Sequence, residues 1–283
     1  MGEWQVAHGC RTLLARFSRY LRYMPLPYNA TSLIRTDGMK IIEVLTDKGL
    51  EVPVPTCPGW NGGDLGWHVG QVWNFWGRVV SGGFTEADQI SAMDTPTRPS
   101  DSDLLDWIAV SHNALYSALV RNRPEREVWT WTGANRDVAW VRRRMTQETA
   151  VHRWDAANAV GLPYKVPSAV AADGIDEFLM WFAGKGSDTS TPPVGGTVHL
   201  HCTDDANDLA GTSTGKSAAT GEWLVTDLSS SGAEFTREHA KGDAAVRGRA
   251  RDLLMWIWGR QAGPVEVLGD EGVAERFRSF TKM

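Results

Sequence analysis

The chain has 283 residues, which is long enough for two globular domains. Its residues are 42% hydrophobic and 22% charged, a composition typical of globular proteins rather than of a fibre or a disordered chain. Its formal net charge of -5 gives no electrostatic reason to expect nucleic acid or an anionic membrane as a partner. Three scattered cysteines, no apolar run that could span a bilayer and no segment resembling a signal peptide predict a cytoplasmic protein without a disulfide framework.

The first 38 residues differ in charge from the rest of the chain, with five arginines against two acidic residues. We interpret residues 1–38 as an N-terminal extension that lies outside the domains and is poorly ordered. The alternative is that RTLLARFSRYLRYM forms an amphipathic helix that binds a membrane surface or a partner.

Helical periodicity begins at Met39 and recurs in four segments. These are MKIIEVLTDKGL, GGDLGWHVGQVWNFWGRVV, SDLLDWIAVSHNALYSALV and MTQETAVHRWDAANAVG. Four amphipathic helices predict a four-helix bundle over residues 39–184. We expect Asn61 to cap the second helix, Asp64 to complement its amino end, and Gly82 with Gly83 to end it.

Two of these helices place polar side chains on their apolar stripes. Glu148 and His152 lie four residues apart on the fourth helix, and His68 shares the stripe of the second. A carboxylate that faces a core needs a positive partner, which can be a metal, an arginine or a substrate. Two imidazoles and one carboxylate form the ligand set of a catalytic zinc site with an open fourth position, and they also suit non-haem iron.

A local explanation for the same residues is also open at this point. Glu148 can pair with Arg144 one turn earlier, and both histidines can donate to backbone carbonyls, because buried polar groups are usually satisfied nearby. Periodicity alone does not choose between a metal site and this arrangement.

Residues 185–196 are rich in Gly, Ser, Thr and Pro and are predicted to link two domains. Beyond them TVHLHC, WLVT, AEFTRE and VEVLGD favour strands, while RARDLLMWIW and EGVAERFRSF favour helices. Residues 197–283 are therefore predicted to form a small α+β domain. Because the alternate residues of TVHLHC are expected to face the core, we interpret His199 and His201 as pointing outward.

Two segments, PTCPGWNGGDLGWHVG and ETAVHRWDAANAVGLP, resemble the mycothiol-dependent maleylpyruvate isomerase family, which is related to DinB-like metal-binding bundles. In the C-terminal part, LLMWIWGRQ resembles the family's helix that ends in Gly-Arg, and the likeness spans about residues 39 to 280. The residues that fit the family pattern are Gly59, Trp60, Asn61, His68, Glu148, His152, Asp155 and Arg260.

The resemblance implies an α+β fold, with an N-terminal DinB-like four-helix bundle and a smaller C-terminal α+β domain. It implies that His68, Glu148 and His152 bind Zn²⁺ or another divalent metal, and that Arg260 is a catalytic residue reaching the metal from the other domain. Without the resemblance, Arg260 would be interpreted as a cation at a helix end. Asp155 is expected either to orient His152 by accepting from its imidazole or to pair with an arginine.

The activity implied is that of an isomerase or S-transferase that uses mycothiol or a similar small thiol on a small, electrophilic, carboxylate-bearing substrate. A metal ion would lower the pKa of the thiol so that the thiolate forms at neutral pH. Two alternatives remain, a metal-dependent hydrolase and a protein that binds metal or thiol without turnover. No nucleic-acid or membrane partner is expected.

Overall fold

The computed structural model describes residues 26–133, 135–185, 192–210 and 221–280. Residues 1–25 of the predicted extension, with its possible amphipathic helix, and residues 186–191 of the predicted linker lie outside the described residues. The described helices are α1 (Ala30–Lys48), α2 (Gly62–Gly82), α3 (Ala87–Ser91), α4 (Asp101–Arg121), α5 (Val138–Ala159), α6 (Ser168–Trp181), α7 (Ala206–Ala210), α8 (Ala250–Ile257) and α9 (Glu271–Phe280).

Helices α1, α2, α4 and α5 pack against one another as the predicted four-helix bundle. Their apolar stripes form one core, in which the largest fully buried side chain is Trp73 of α2. The ends of α2 follow the prediction. Asn61 accepts from the backbone N–H of Asp64, the Asp64 carboxylate accepts from the N–H of Asn61, and Gly83 ends the helix with φ of 63°. This capping box fixes the start of the helix that carries His68.

Helix α1 begins at Ala30, nine residues before the predicted start of the bundle at Met39. Asn29 caps it by accepting from the backbone N–H of Ser32, and Tyr28 and Ile34 are buried in the two hydrophobic cores. The described part of the predicted extension, residues 26–38, is therefore packed into the fold because its apolar side chains continue the stripe of α1.

The C-terminal part forms a mixed five-stranded sheet in the order β3-β2-β1-β4-β5. Strands β1 and β4 are parallel, and the other neighbours are antiparallel. The strands are β1 (Val198–Cys202), β2 (Glu222–Ser229), β3 (Gly232–Thr236), β4 (Ala244–Gly248) and β5 (Glu266–Gly269). Together with the bundle, this sheet gives the predicted α+β class. The sequence patterns did not predict strand β4, helix α6 or the two short helices α3 and α7.

Helices α6, α8 and α9 and the buried face of the sheet share a second hydrophobic core. Helix α6, which falls within the predicted 39–184 unit, thus packs with the C-terminal sheet. The domain limits at residues 39, 184 and 197 stay predictions. Among the described residues, no helix combines the length and apolar character that a bilayer crossing requires.

Candidate metal centre

Helices α2 and α5 bring the three predicted metal ligands together. Oε1 of Glu148 lies 3.0 Å from Nε2 of His68 and 3.4 Å from Nε2 of His152. The two imidazole rings are 4.8 Å apart between centroids and meet edge to face. One ligand atom from each of the three residues lies within 4.8 Å of the other two. Two nitrogen donors and one oxygen donor therefore lie close together between helices α2 and α5.

The second oxygen of Glu148 faces an arginine. Oε2 accepts from Nη2 of Arg144 at 3.0 Å, and Arg144 also pairs with the buried Glu177 of α6. Burial by itself would raise the pKa of Glu148, but hydrogen bonds from His152 and His68 and the charge of Arg144 hold that pKa well below its usual range. The arginine pairing and the histidine contacts thus coexist on different oxygens of one ionised carboxylate.

His152 is oriented from behind by Asp155. Its Nδ1–H donates to Oδ2 of Asp155 at 2.9 Å, which leaves Nε2 directed at Glu148. Burial would lower the pKa of His152, but hydrogen bonds and charge from Asp155 and Glu148 raise it to about 9. An imidazole that donates one nitrogen to a carboxylate and presents the other is the usual arrangement of a metal-binding histidine.

Asp155 in turn forms a bidentate ion pair with Arg260. Nε and Nη2 of Arg260 lie 2.8 Å and 2.7 Å from the two carboxylate oxygens. Burial would raise the pKa of Asp155, but hydrogen bonds from Arg260 and His152 hold it below its usual range. The two alternatives stated for Asp155, orienting His152 and pairing with an arginine, are both present.

Arg260 reaches the bundle because of how α8 ends. Gly259 has φ of 76°, a left-handed conformation that favours glycine, and the N–H of Arg260 donates back to the carbonyl of Met255 at 2.8 Å. Nη1 of Arg260 donates to the carbonyl of Trp258 at 2.9 Å. The guanidinium contacts Asp155, which stands behind the three predicted ligands.

Two further residues, Thr56 and Cys57, contact Asp155. Sequence patterns do not indicate Thr56, whereas Cys57, close to the Gly-Trp pair, is expected to be a neutral, partly buried thiol. Oγ1 of Thr56 donates to Oδ1 at 2.6 Å, and Sγ of Cys57 lies 3.7 Å from Oδ2. Burial and the charge of Asp155 raise the pKa of Cys57 to about 11, so its thiol is neutral. Both residues belong to the PTCPGWN segment, and their closeness to its Gly-Trp pair was the available signal.

The centre is open on the side of His68. The side chain of His68 is 36% exposed, against 18% for Glu148 and 11% for His152. The ring of Trp60 lies 5.1 Å from that of His68 and forms one wall. A small molecule can therefore approach the three polar groups from the solvent.

The fold and the site together define the class of protein to which this chain belongs. In this class a helical bundle carries a polar centre, and an arginine from the α+β unit that follows completes that centre. The family model described as the mycothiol maleylpyruvate isomerase N-terminal domain matches residues 32–157, and the model of the MDMPI C-terminal domain matches residues 169–276. The chain belongs to the mycothiol-dependent maleylpyruvate isomerase family, whose enzymes are thiol-dependent isomerases.

Two crystal structures of mycothiol-dependent maleylpyruvate isomerase share the fold of this chain. One, of a histidine-to-alanine mutant, is 12% identical with a TM-score of 0.53, and the other is 13% identical with a TM-score of 0.51. Each comparison covers 84% of this chain and 91% of the solved one. No curated protein sequence matches the chain significantly.

Proposed function

We propose that this protein is a zinc-dependent enzyme that uses mycothiol or a similar small thiol on a small electrophilic substrate bearing a carboxylate. The product is either the geometric isomer or the thiol adduct. Family membership supports the thiol-dependent chemistry. The observation that carries the zinc assignment is the oxygen of Glu148 held between two imidazole nitrogens in a centre open to solvent.

The donor set fits zinc. Zinc bonds histidine nitrogen and carboxylate oxygen at about 2.0–2.2 Å, so tetrahedral ligand atoms lie about 3.4 Å from each other. Nε2 of His68 and Nε2 of His152 lie 3.0 Å and 3.4 Å from Oε1 of Glu148. His68, Glu148 and His152 would hold the ion, and the open side would admit a thiol.

A bound zinc ion would supply a lowered thiol pKa, so that thiolate is present near neutral pH. The chain's own residues prepare the site for this. Asp155 fixes the tautomer of His152, and Arg144 holds the far oxygen of Glu148. Family membership supports a thiol cosubstrate, rather than Cys57, as the source of the nucleophile.

In the isomerase outcome, the cosubstrate thiolate forms a C–S bond to one carbon of an activated double bond, and the electron pair of the broken π bond moves to the activating carbonyl as an enolate. Rotation about the resulting single bond and loss of the thiolate restore the double bond with the other geometry, so no thiol is consumed. In the transferase outcome a proton is added and the adduct is released. Arg260 is the proposed catalytic arginine, because the family resemblance implies that role and its guanidinium stands beside the centre. To bind a substrate carboxylate it would exchange part of its bidentate pair with Asp155.

Metal analysis tests the ligand assignment. Purified His68→Ala, Glu148→Gln and His152→Ala should each lose one zinc equivalent per chain relative to the wild type, because a three-ligand site does not survive loss of one ligand. His112→Gln is the matched control, since His112 is a buried histidine of the same bundle whose Nε2 lies 3.0 Å from the carbonyl of Ile34. Full zinc content in all three variants would refute the assignment.

Thiol dependence tests the reaction. Maleylpyruvate, the substrate named for the two solved relatives, should be isomerised only when mycothiol or another small thiol is added. Arg260→Lys should keep zinc but raise KM for carboxylate substrates, because an ammonium lacks the planar fork. Turnover of an electrophile by water alone, at the same rate without thiol, would favour the hydrolase alternative.

A further inference from the structure

A second cluster of ligating side chains lies on the C-terminal sheet. His199 and His201 of β1, Glu222 of β2 and His239 from the connection between β3 and β4 lie together on the face opposite the second hydrophobic core. One ligand atom from each of the four residues lies within 4.8 Å of the others. None of these residues belongs to the centre in the bundle.

The sheet register builds this cluster. His199 and His201 are two residues apart and share one face of β1, while Val198, Leu200 and Cys202 face the core, as predicted. In the antiparallel pair of β1 and β2, His201 lies directly opposite Glu222. The expectation that both histidines point away from the core is correct, although other side chains cover His199 and leave only 6% of its surface exposed.

All three imidazoles converge on one carboxylate. Nε2 of His199 lies 2.6 Å from Oε2 of Glu222, and Nδ1 of His201 lies 2.9 Å from Oε1. Nδ1 of His239 lies 3.2 Å from Oε1. The three rings stand edge to face, with centroids 5.1 to 5.6 Å apart. Three nitrogen donors and one oxygen donor, one from each of the four residues, therefore lie within 4.8 Å of one another.

We propose that His199, His201, Glu222 and His239 form a second metal site, which binds a divalent transition ion and takes zinc. Nitrogen-rich donors select zinc, copper or nickel over magnesium and calcium. Four protein ligands complete a tetrahedral shell, which is typical of a structural site rather than a catalytic one. One doubly charged ion would take the place of the protons in the hydrogen bonds between the histidines and Glu222. Through His239, it would also connect the β3–β4 segment to β1 and β2.

The test measures zinc alone, added to protein stripped with a chelator and dialysed. The wild type should bind two equivalents per chain, and the double variant His201→Ala/His239→Ala should bind one. His152→Ala should also bind one, and His152→Ala combined with the double variant should bind none. Glu238→Ala is the matched control, because Glu238 is an exposed neighbour of His239 in the same connection.

The zinc contents of these variants distinguish an error in the sheet site from an error in the bundle site. If the bundle centre binds no zinc, His152→Ala equals the wild type while the double variant still loses its equivalent. The proposal is overturned if the double variant binds as much zinc as the wild type, which would leave the cluster as a hydrogen-bonded network around Glu222.

If the double variant does not fold, the zinc affinity and the Tm of a single variant test the same site. His239 has a 73% exposed side chain, so His239→Ala should fold normally. In the His152→Ala background, it should weaken zinc binding at the sheet at least tenfold and abolish the rise in Tm that zinc produces. An unchanged zinc affinity in that folded variant would also overturn the proposal.

Discussion

At the scale of single residues, the polar side chains of α5 are shared between several partners. The carboxylate of Glu148 contacts two histidines and an arginine. The carboxylate of Asp155 accepts hydrogen bonds from His152, Thr56 and Arg260. Each charge is therefore compensated within the protein, which is required for a carboxylate that is fully buried, as Asp155 is. This compensation keeps Glu148 ionised and His152 oriented before a metal or thiol arrives.

The buried His112, which lies outside the centre, should make the free energy of unfolding depend on pH. Burial lowers the pKa of His112 from 6.5, the nearby charge of Arg35 adds to this effect, and the hydrogen bond to the Ile34 carbonyl only partly offsets it. As pH falls through about 6.5, the unfolded chain binds a proton that the folded chain excludes, so the free energy of unfolding should decrease.

Urea denaturation at pH 7.5, 6.5 and 5.5 measures this effect, and His112→Gln is the comparison because its amide can still donate to the Ile34 carbonyl. The difference in unfolding free energy between wild type and variant should shrink towards pH 5.5. A difference that is constant over this range would show that His112 keeps its ordinary titration in the fold.

The residues of the centre were predictable to different degrees. Polar side chains on an apolar stripe indicated His68, Glu148 and His152, because the helical period places them inward. Thr56 could not be found this way, since it lies in a loop whose approach to Asp155 depends on tertiary structure. Arg260 was indicated only by the family resemblance, because its pattern is that of any cation at a helix end.

At the scale of elements, helices α2 and α4 approach each other closely at a glycine. A Cβ at Gly77 would lie 3.1 Å from the backbone N and 3.2 Å from the Cα of Leu115. These are backbone atoms of a neighbouring helix, so they cannot move aside as the end of a side chain can. Close packing here helps to set the position of α2 and therefore of His68.

Gly77→Val should lower the free energy of unfolding by about 1–3 kcal/mol, the usual cost of overpacking a well-packed core. The control is Ser81→Val, which places the same β-branched side chain at an exposed position of the same helix. Urea denaturation of both variants gives the comparison. Equal effects would show that helix propensity, rather than contact with Leu115, determines the loss.

Two of the elements that the sequence did not predict, α6 and β4, lack a clear local pattern for physical reasons. The apolar pattern of α6 is interrupted by Asp173, Asp176 and Glu177. These acidic residues can be buried or nearly so because two arginines of α5 pair with them, Arg143 with both aspartates and Arg144 with Glu177. Such pairing is not visible in local periodicity. Strand β4 has only five residues and three are Ala or Gly, so it depends on its neighbours β1 and β5 rather than on its own propensity.

At the scale of the whole molecule, the centre joins the bundle to the C-terminal sheet. Asp155 belongs to α5, and Arg260 follows α8, which packs in the core of the sheet. Arg237, which follows β3, adds a second link, because it pairs with Asp176 of α6 and Asp176 also pairs with Arg143 of α5. The bundle and the α+β composition were predictable from local patterns, but these connections required the three-dimensional structure.

A double-mutant cycle measures the link at the centre. Asp155→Asn and Arg260→Met should each destabilise the protein by about 3–5 kcal/mol, because each leaves a buried charge without its partner. The double variant should be much more stable than the sum of the single effects predicts, since it removes both charges. Additive effects would mean that this ion pair does not connect the two parts energetically.

The most direct test of the account is zinc K-edge X-ray absorption on the His201→Ala/His239→Ala variant, in which only the bundle centre should hold metal. Without thiol, the spectrum should show nitrogen and oxygen ligands only. Addition of mycothiol or another small thiol should introduce one sulfur ligand at about 2.3 Å, and His68→Ala in the same background should abolish the signal. A zinc shell that does not change when thiol is added, or zinc that remains bound after loss of His68, would contradict the account.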